Sequence, residues 1–279
     1  MDEYTIHKIA IYVKDAKIVK ILFYIPKYRD LITISDYYYD ELFNDYSRKD
    51  WFRIVGKQNN YNLLRIIQSF YRLNIPFKYH EHPITIAINT GNIEIIKWLH
   101  ENQRNEWNEV FHINIMDSAA QKGHLEIVKW LHENRKEDCT KNAMEFAALN
   151  GHLEVIKWLH YNRTEGCTTG AMDYAASNGH IEIVKWLYEN RKEGCTIIAM
   201  DYSASRGHLE ILKLLHENGG LCTTYAMDMA AYNGHIEIVK WLYYNRTEGY
   251  TKTGMNNASK QGHLEIVKWL NEKNDSKKR

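Results

Sequence analysis

The sequence predicts an all-α solenoid of stacked helix-turn-helix repeats, and two observations support this prediction. First, the stretch GHLEIVKWLHENR at residues 123–135 occurs seven times with small changes. Second, the apolar residues within each copy have helical spacing. Copies that return every 27 to 32 residues are typical of a stacked repeat protein, whose function belongs to the array. The glycines that open the copies are Gly91, Gly123, Gly151, Gly179, Gly207, Gly234 and Gly262.

The helix after each glycine, called the second helix, is clear in the copy at residues 151–163. Its apolar residues lie at offsets two, four, five, seven and eight from the glycine: Leu153, Val155, Ile156, Trp158 and Leu159. This spacing predicts a helix with one buried stripe. Glu154 and Lys157 lie between them on the solvent side, where such a pair contributes only ~0.2–0.5 kcal/mol.

A shorter pattern before each glycine predicts a first helix. Ahead of Gly179, Thr168 can accept backbone amide hydrogens as an N-cap, and the small residues Ala175 and Ala176 let another helix approach closely. The same threonine recurs at Thr140, Thr196, Thr223 and Thr251. One unit is therefore a capped first helix, a glycine turn and a longer second helix.

These units resemble ankyrin repeats, whose second helix typically reads G-H-L-E-I-V-K-x-L-L. The family's first helix usually opens T-P-L-H-x-A-A, whereas the matching places here read Asn142-Ala-Met-Glu-Phe-Ala-Ala or Tyr225-Ala-Met-Asp-Met-Ala-Ala. Only His82-Pro83-Ile84 keeps the proline. The family's Thr–His hydrogen bond is therefore expected to be absent, with an Asp or Glu that favours the helix dipole in its place.

The units are also shorter than the family's, which have about 33 residues. The missing residues lie between Asn162 and Thr168, where the family has its β-hairpin, so we expect tight turns with little or no strand. This shortened, Trp-rich form with a Cys-Thr pair resembles ankyrin proteins of giant amoeba-infecting viruses and amoebae. The resemblance implies a viral or protist source and a role in host–virus interaction.

The chain is expected to have three parts. Residues 1–47 form an amino-terminal capping segment or small domain, whose pattern is compatible with a strand at 4–13, a helix around 15–24 and a helix capped by Asp36. Residues 48–272 form the solenoid, with Asn59 in place of the first turn glycine, and the polar tail 273–279 should fray. The eight units are expected near 48–79, 80–111, 112–139, 140–167, 168–195, 196–222, 223–250 and 251–272.

The charge is balanced, with 36 basic and 35 acidic residues and a net charge of +1. This balance argues against nucleic acid as the main partner. No signal peptide is evident, and no segment has the ~20 apolar residues of a membrane span. We expect no membrane association and an intracellular, cytoplasmic protein, in the host cell if the source is viral. The short basic run at 277–279 leaves a nuclear location open.

Histidine and cysteine recur at fixed places in the units. Equivalent residues of neighbouring units should lie about one helix-packing distance apart, ~8–10 Å, too far for a shared zinc ion or a disulfide. We therefore predict no metal site, turn histidines bonded to backbone, and reduced cysteines that act as small buried residues. The residues concerned are His124, His152, His180, His208, His235 and His263, a second set at His100, His132, His160 and His216, and Cys139, Cys167, Cys195 and Cys222.

The tryptophan column is predicted to belong to the core, because Leu214 replaces it in one unit. The column comprises Trp98, Trp130, Trp158, Trp186, Trp241 and Trp269. No phosphate loop, nucleophile or singled-out carboxylate pair stands out. The sequence therefore predicts no catalytic residues, no cofactor and no enzyme activity.

The remaining role is a monomeric protein-interaction scaffold with a protein partner of unknown identity. In the family, the two residues after the capping threonine and the two before the glycine face the concave groove. In the units spanning 168–250 these positions depart most from small polar residues, which predicts a partner site at Ile197, Ile198, Arg206, Tyr225 and Tyr232. Alternatively, the two isoleucines only cover a gap left by the shorter 27-residue unit. A second alternative is a substrate-binding adaptor of a larger complex, such as a ubiquitin ligase, docked through residues 1–47.

Overall fold

The computed structural model describes residues 83–102, 114–135 and 139–277, with side chains as far as Asn274. All regular secondary structure in these ranges is helical, as the sequence predicted. The chain divides into two compact units, residues 1–110 and 111–279, which are described separately. The expected elements at 4–13, 15–24 and Asp36, and the first repeat at 48–79, lie outside the described residues.

The first compact unit contributes one helical hairpin to the description. Helix α1 spans Pro83–Thr90 and helix α2 spans Ile93–Glu101. Gly91 has a φ of 70° at the turn, and the side chain of Asn92 caps α2 by accepting from the backbone amides of Glu94 and Ile95. Buried isoleucines from both helices, including Ile84 and Ile95, hold the hairpin together.

The second compact unit contains six further helical hairpins within the described residues. Each first helix packs on the first helix of the next repeat, and the second helices form a neighbouring row. The hairpins are α3 Ile115–Gln121 with α4 Leu125–Asn134, α5 Lys141–Leu149 with α6 Leu153–Asn162, α7 Gly170–Ser177 with α8 Ile181–Asn190, α9 Ile197–Ser205 with α10 Leu209–Glu217, α11 Thr224–Tyr232 with α12 Ile236–Asn245, and α13 Lys252–Lys260 with α14 Leu264–Lys277.

The core consists of small residues from the first helices and one stripe of the second helices. Ala175 and Ala176 of α7 are fully buried, which confirms the close approach expected of small residues. In α6 the buried residues are Val155, Ile156 and Leu159, at offsets four, five and eight from the glycine. The predicted pair of Glu154 with Lys157 is present on the solvent side, with 2.8 Å between the two charged atoms.

The tryptophans lie at the margin of this core, so the prediction that they are core residues is wrong in its strict form. Trp158 is half-buried, because offset seven lies at the edge of the stripe. Its ring meets the ring of His132 of the preceding repeat edge to face, with centroids 5.2 Å apart. The column thus packs repeat against repeat.

Five of the turn glycines make room for the histidine of the following repeat: Gly123, Gly151, Gly179, Gly207 and Gly234. Gly151 has a φ of +82°, and a Cβ placed on it would lie 2.8 Å from the ring of His180. Nε2 of His180 donates to the carbonyl of Leu149 over 3.1 Å, and His235 does the same to Ser205. The prediction that turn histidines bond to backbone is confirmed at these two positions.

The carboxyl-terminal helix is longer than expected. Helix α14 continues to Lys277, into the segment expected to fray. The amide of Asn274 donates to the hydroxyl of Tyr250 over 2.6 Å, and the Lys273 ammonium lies 5.5 Å from the ring centroids of Tyr244 and Trp269. These contacts explain the added helical turn. Over the described ranges, none of the helices has the length and apolarity needed to cross a membrane.

Candidate partner-binding surface

In five of the seven described first helices, a carboxylate is directed at the threonine that caps the next first helix. Asp173 accepts from the backbone nitrogen of Thr196 and from its hydroxyl, both over 2.8 Å. The Thr196 hydroxyl oxygen accepts in turn from the backbone amide of Ile198 over 3.2 Å. We call this arrangement the carboxylate–threonine clasp. Burial raises the pKa of Asp173, although the hydrogen bonds from Thr196 oppose that rise.

The clasp occurs at five successive junctions. The pairs are Asp117 with Thr140, Glu145 with Thr168, Asp173 with Thr196, Asp201 with Thr223, and Asp228 with Thr251. We expected these carboxylates to act on the dipole of their own helix. Instead they join one repeat to the next, so the acidic residues of the first helices are turned away from solvent.

The loops that replace the family's hairpin make a second set of side-chain contacts between neighbouring repeats. Arg191 donates to Glu193 within the loop, and its Nη1 lies 3.4 Å from Nδ1 of His160 in the preceding repeat. That histidine meets Trp186 edge to face at 5.1 Å. Similar sets join Arg163 with His132 and Arg246 with His216. The expected tight turns without strand are confirmed in the described loops.

The four cysteines are unbridged, and their environments confirm a packing role for three of them. Cys139, Cys167 and Cys222 are buried, and burial raises the pKa of each to about 11. A thiol with so high a pKa is protonated near neutral pH and is a poor nucleophile. Cys195 is half-buried and lies 3.8 Å from the hydroxyl of Tyr188. Among the described residues, no group of three or more potential metal ligands comes together.

Large apolar side chains remain exposed on the first helices α9 and α11. Ile197 and Ile198 are 45% and 44% exposed, and Tyr225 is 39% exposed. Tyr225 packs against Tyr202, with ring centroids 5.7 Å apart. Partial burial and, to a lesser degree, the neighbouring Tyr202 hydroxyl raise the pKa of Tyr225. We call Ile198, Tyr202 and Tyr225 the apolar patch.

The other two predicted site residues lie at the carboxyl-terminal ends of α9 and α11, and both are already hydrogen-bonded. Arg206 is exposed, and its Nη1 donates to the carbonyl of Ser177 over 3.0 Å and to the side chain of Asn178 over 2.8 Å. Tyr232 is half-buried, and its hydroxyl accepts from the Gln261 amide over 3.3 Å. These bonds order both side chains at the edge of the first-helix face.

Sequence reasoning missed Tyr174 and Tyr202, which are each 39% exposed. Both lie six residues after a capping threonine, one helical turn beyond the position of Ile198 and Tyr225. Residues four apart share one face of a helix. This spacing could have predicted that both tyrosines are exposed, because the second and the sixth residue after the threonine lie on the same stripe of the helix.

The repeat that contributes Ile198 and Tyr202 to the apolar patch differs from its neighbours. Leu214 replaces the tryptophan, and Gly219-Gly220-Leu221 replaces the loop that carries arginine and glutamate elsewhere. A pocket of about 490 Å³ opens at this junction, lined by Cys195, Ile197 and Leu221 among others. Leu221 is 64% exposed at its rim. Exposed apolar surface therefore reaches from the first helices to this loop.

The first helices stack on one another, are joined by repeated carboxylate–threonine clasps and present one variable face. These features define a helical repeat scaffold. The model of a family described as ankyrin repeats, in three copies, matches residues 53–143, 116–201, 144–226 and 200–279. The chain belongs to the ankyrin-repeat family, whose repeats indicate a protein–protein interaction domain.

Other comparisons add little to this assignment. Among solved structures, the chain is similar to the human ASB11 ankyrin repeat domain, with 20% identity and a TM-score of 0.46. The similarity covers 56% of this chain and 82% of that one. A search of curated proteins gives no match.

Proposed function

We propose that this protein is a non-enzymatic scaffold that binds a protein partner through the exposed face of its first helices, in the repeats spanning 168–250. The observation that carries the proposal is the apolar patch, where two neighbouring repeats present an isoleucine and two tyrosines to solvent. Contiguous exposed apolar surface rimmed by polar groups marks interaction sites. Tyrosine and arginine are enriched among the residues that dominate binding energy.

The alternative role of Ile197 and Ile198 as filling for a gap has less support. Each keeps nearly half of its surface exposed. Leaving an isoleucine this exposed forgoes much of the ~1.5–3 kcal/mol that full burial would provide. Ile197 lines the pocket beside Leu221 without closing it. A partner side chain that covers this surface would recover the missing stabilisation.

The adaptor hypothesis stays open as a second form of the same function. In it, residues 1–47 dock a larger complex such as a ubiquitin ligase, while the repeats hold the substrate. Those residues lie outside the described part of the chain. Affinity purification of the full chain and of residues 48–279 distinguishes the two forms, since loss of ligase subunits upon truncation favours the adaptor.

The test of the proposed surface is comparative affinity purification with mass spectrometry. The bait pair is the full-length parent and the variant Ile198→Glu, Tyr225→Ala, Tyr232→Ala, checked for unchanged helical circular dichroism and melting. Proteins recovered with the parent and lost with the variant support the surface. Equal recovery with both baits would reject it and direct attention to the amino-terminal segment.

A further inference from the structure

The exposed charges of the first helices in residues 114–277 all have one sign. The carboxylates of these helices are the five that bond to threonines of the next repeat, and each of them is buried or half-buried. The basic residues of these helices and of the turns after them are all exposed. They are Lys122, Lys141, Arg206, Lys252 and Lys260. The exposed charges of the first-helix face are therefore positive, because the clasp holds its carboxylates out of full contact with solvent.

The second helices have the opposite arrangement. In five of the six second helices in these residues, a lysine pairs with the glutamate of the preceding turn, as Lys185 does with Glu182 over 2.9 Å. Further glutamates such as Glu133, Glu189 and Glu217 are exposed beside these pairs. Within residues 114–277, the exposed charges of the first helices are therefore positive, whereas glutamates predominate among the exposed charges of the second helices.

We infer that the partner of the first-helix face is an acidic peptide segment with an apolar anchor residue, which rests on the apolar patch while its carboxylates face the lysines on either side. This inference rests on the proposed function and names the chemistry of its partner. Complementary charge steers association and selects partners more than it adds affinity, whereas a buried apolar anchor supplies affinity. On this surface, the lysines would select an acidic partner, and the apolar patch would supply affinity.

The spacing of the lysines sets the length of such a segment. Lys141 begins α5 and Lys252 begins α13, four helix-packing steps further along the array. With ~8–10 Å for each step, they are ~32–40 Å apart. An extended chain covers ~3.3 Å per residue, so ~12 residues reach from one lysine to the other.

A nucleic acid fits this surface less well than an acidic peptide. A duplex carries one negative charge per ~1.7 Å of its axis, and proteins bind it with a dense cationic track. Here five cations are spread over six helices, and the centre of the face is apolar. A peptide with scattered carboxylates and one large apolar residue matches both features.

The experiment selects random peptides of ~12 residues, displayed on phage, against the full-length protein at low salt, where charge pairs are least screened. Enriched peptides are synthesised with a fluorescein label and titrated by fluorescence anisotropy. We expect them to be acidic and to contain an aromatic or large aliphatic residue. Their affinity should fall by about tenfold when ionic strength rises from ~0.05 to ~0.3 M, because exposed charges are then screened.

Two pairs of charge reversals test the charge argument directly. Lys141→Glu with Lys252→Glu should weaken peptide binding by about tenfold through lost attraction. Both substitutions lie at the first position of a helix, where a glutamate favours the helix dipole, so folding should be preserved. The matched control is Lys192→Glu with Lys268→Glu, two exposed lysines outside the first helices. It has the same change in net charge and should leave affinity within about twofold, since distant exposed charges are screened.

The outcomes separate this inference from the proposed function. Enriched peptides that are neutral or basic but lose binding in Ile198→Ser, Tyr225→Ser overturn the acidic partner and leave the surface in place. If the peptides bind the variant as tightly as the parent, the surface itself is rejected. The surface is also rejected if no peptide is enriched on the parent relative to the variant. A labelled single-stranded oligonucleotide that binds more tightly than the best peptide, and displaces it, would overturn the inference in favour of nucleic acid.

Discussion

The carboxylate of Asp173 bonds to both the backbone nitrogen and the hydroxyl of Thr196, at 2.8 Å in each case. Because Thr196 also caps helix α9, one acidic side chain joins the core of one repeat to the start of the next. The same pair of hydrogen bonds, from a backbone nitrogen and a hydroxyl to one carboxylate, occurs at four other junctions. The clasp both joins neighbouring repeats and keeps the carboxylates of the first helices from being exposed.

Removing one clasp should destabilise the array. In Asp173→Ala, the amide and hydroxyl of Thr196 lose a buried acceptor, which should cost ~1–3 kcal/mol of the free energy of unfolding. Equilibrium urea unfolding followed by circular dichroism measures the loss. Asn256→Ala is the matched control, because Asn256 is the exposed residue at this position of the last repeat. Equal midpoints for the two variants would show that the clasp contributes nothing.

Two glycine substitutions separate the contribution of histidine packing to stability from the contribution of backbone strain. Gly151→Ala and Gly194→Ala both place a Cβ at positive φ, but the first meets the ring of His180 at 2.8 Å and the second meets nothing within 4 Å. The strain shared by both is ~1–2 kcal/mol. Gly151→Ala should therefore lower the melting temperature more than Gly194→Ala does. Similar melting temperatures would mean that the histidine yields to the Cβ without cost.

The tryptophan column should contribute to coupling between repeats. Trp158→Ala removes a half-buried ring that packs on His132, so we expect a loss of ~2–3 kcal/mol, below the ~3–5 kcal/mol of a fully buried tryptophan. Trp158→Leu introduces the residue that Leu214 provides in another repeat and should cost less. Denaturant midpoints and slopes check this order. An unchanged midpoint in Trp158→Ala would show that the ring does not stabilise the junction.

Acid should weaken the fold through two turn histidines. Burial lowers the pKa of His152 and of His208 below the ordinary value of 6.5, against backbone hydrogen bonds that raise it. The unfolded chain then binds more protons than the folded one, so their stabilisation is complete above about pH 6.5 and declines as pH falls toward the folded pKa. The buried Asp117 and Asp173 have a raised pKa and act in the opposite direction, at more acidic pH.

A double variant isolates the histidine contribution. Urea midpoints of the parent should fall between pH ~7.5 and ~6.0, and His152→Gln with His208→Gln should reduce that fall because glutamine does not titrate. Glutamine keeps an N–H donor for the carbonyls of Gln121 and Ser177, to which the two histidines bond. An equal fall in parent and variant would assign the pH dependence to other groups.

The repeat pattern was sufficient to predict the helices, the turns and the backbone-bonded histidines, because each depends on local spacing. The clasp was not foreseen. Asp173 and Thr196 are 23 residues apart, and helical spacing within one repeat says nothing about which neighbour a side chain reaches. The tryptophans were predicted to be core residues but are half-buried, for a related reason. Offset seven lies at the edge of the apolar stripe, and the adjacent repeat determines how much of that edge is covered.

The candidate site was predictable only in part. Ile197, Ile198 and Tyr225 depart from the residues of other repeats and are exposed, as the interpretation requires. Tyr202 lies outside the two positions after the threonine and the two before the glycine, so the interpretation did not include it. The clasp with Thr223 directs Asp201 toward the next repeat, while the adjacent Tyr202 stays exposed. This difference depends on the position of the next repeat and cannot be read from the sequence of one repeat.

The most direct test of the central claim is the affinity of a partner, identified by the comparative purification, for parent and patch variants. Isothermal titration with Ile198→Glu, Tyr225→Ala, Tyr232→Ala should show binding weakened by more than about tenfold, since anchors of this kind each contribute ~1–2 kcal/mol or more. Glu154→Gln with Lys157→Gln, on the second-helix side, is the control and should bind like the parent. Affinity of the triple variant within about threefold of the parent, ~0.6 kcal/mol, would contradict the account and place the partner site elsewhere.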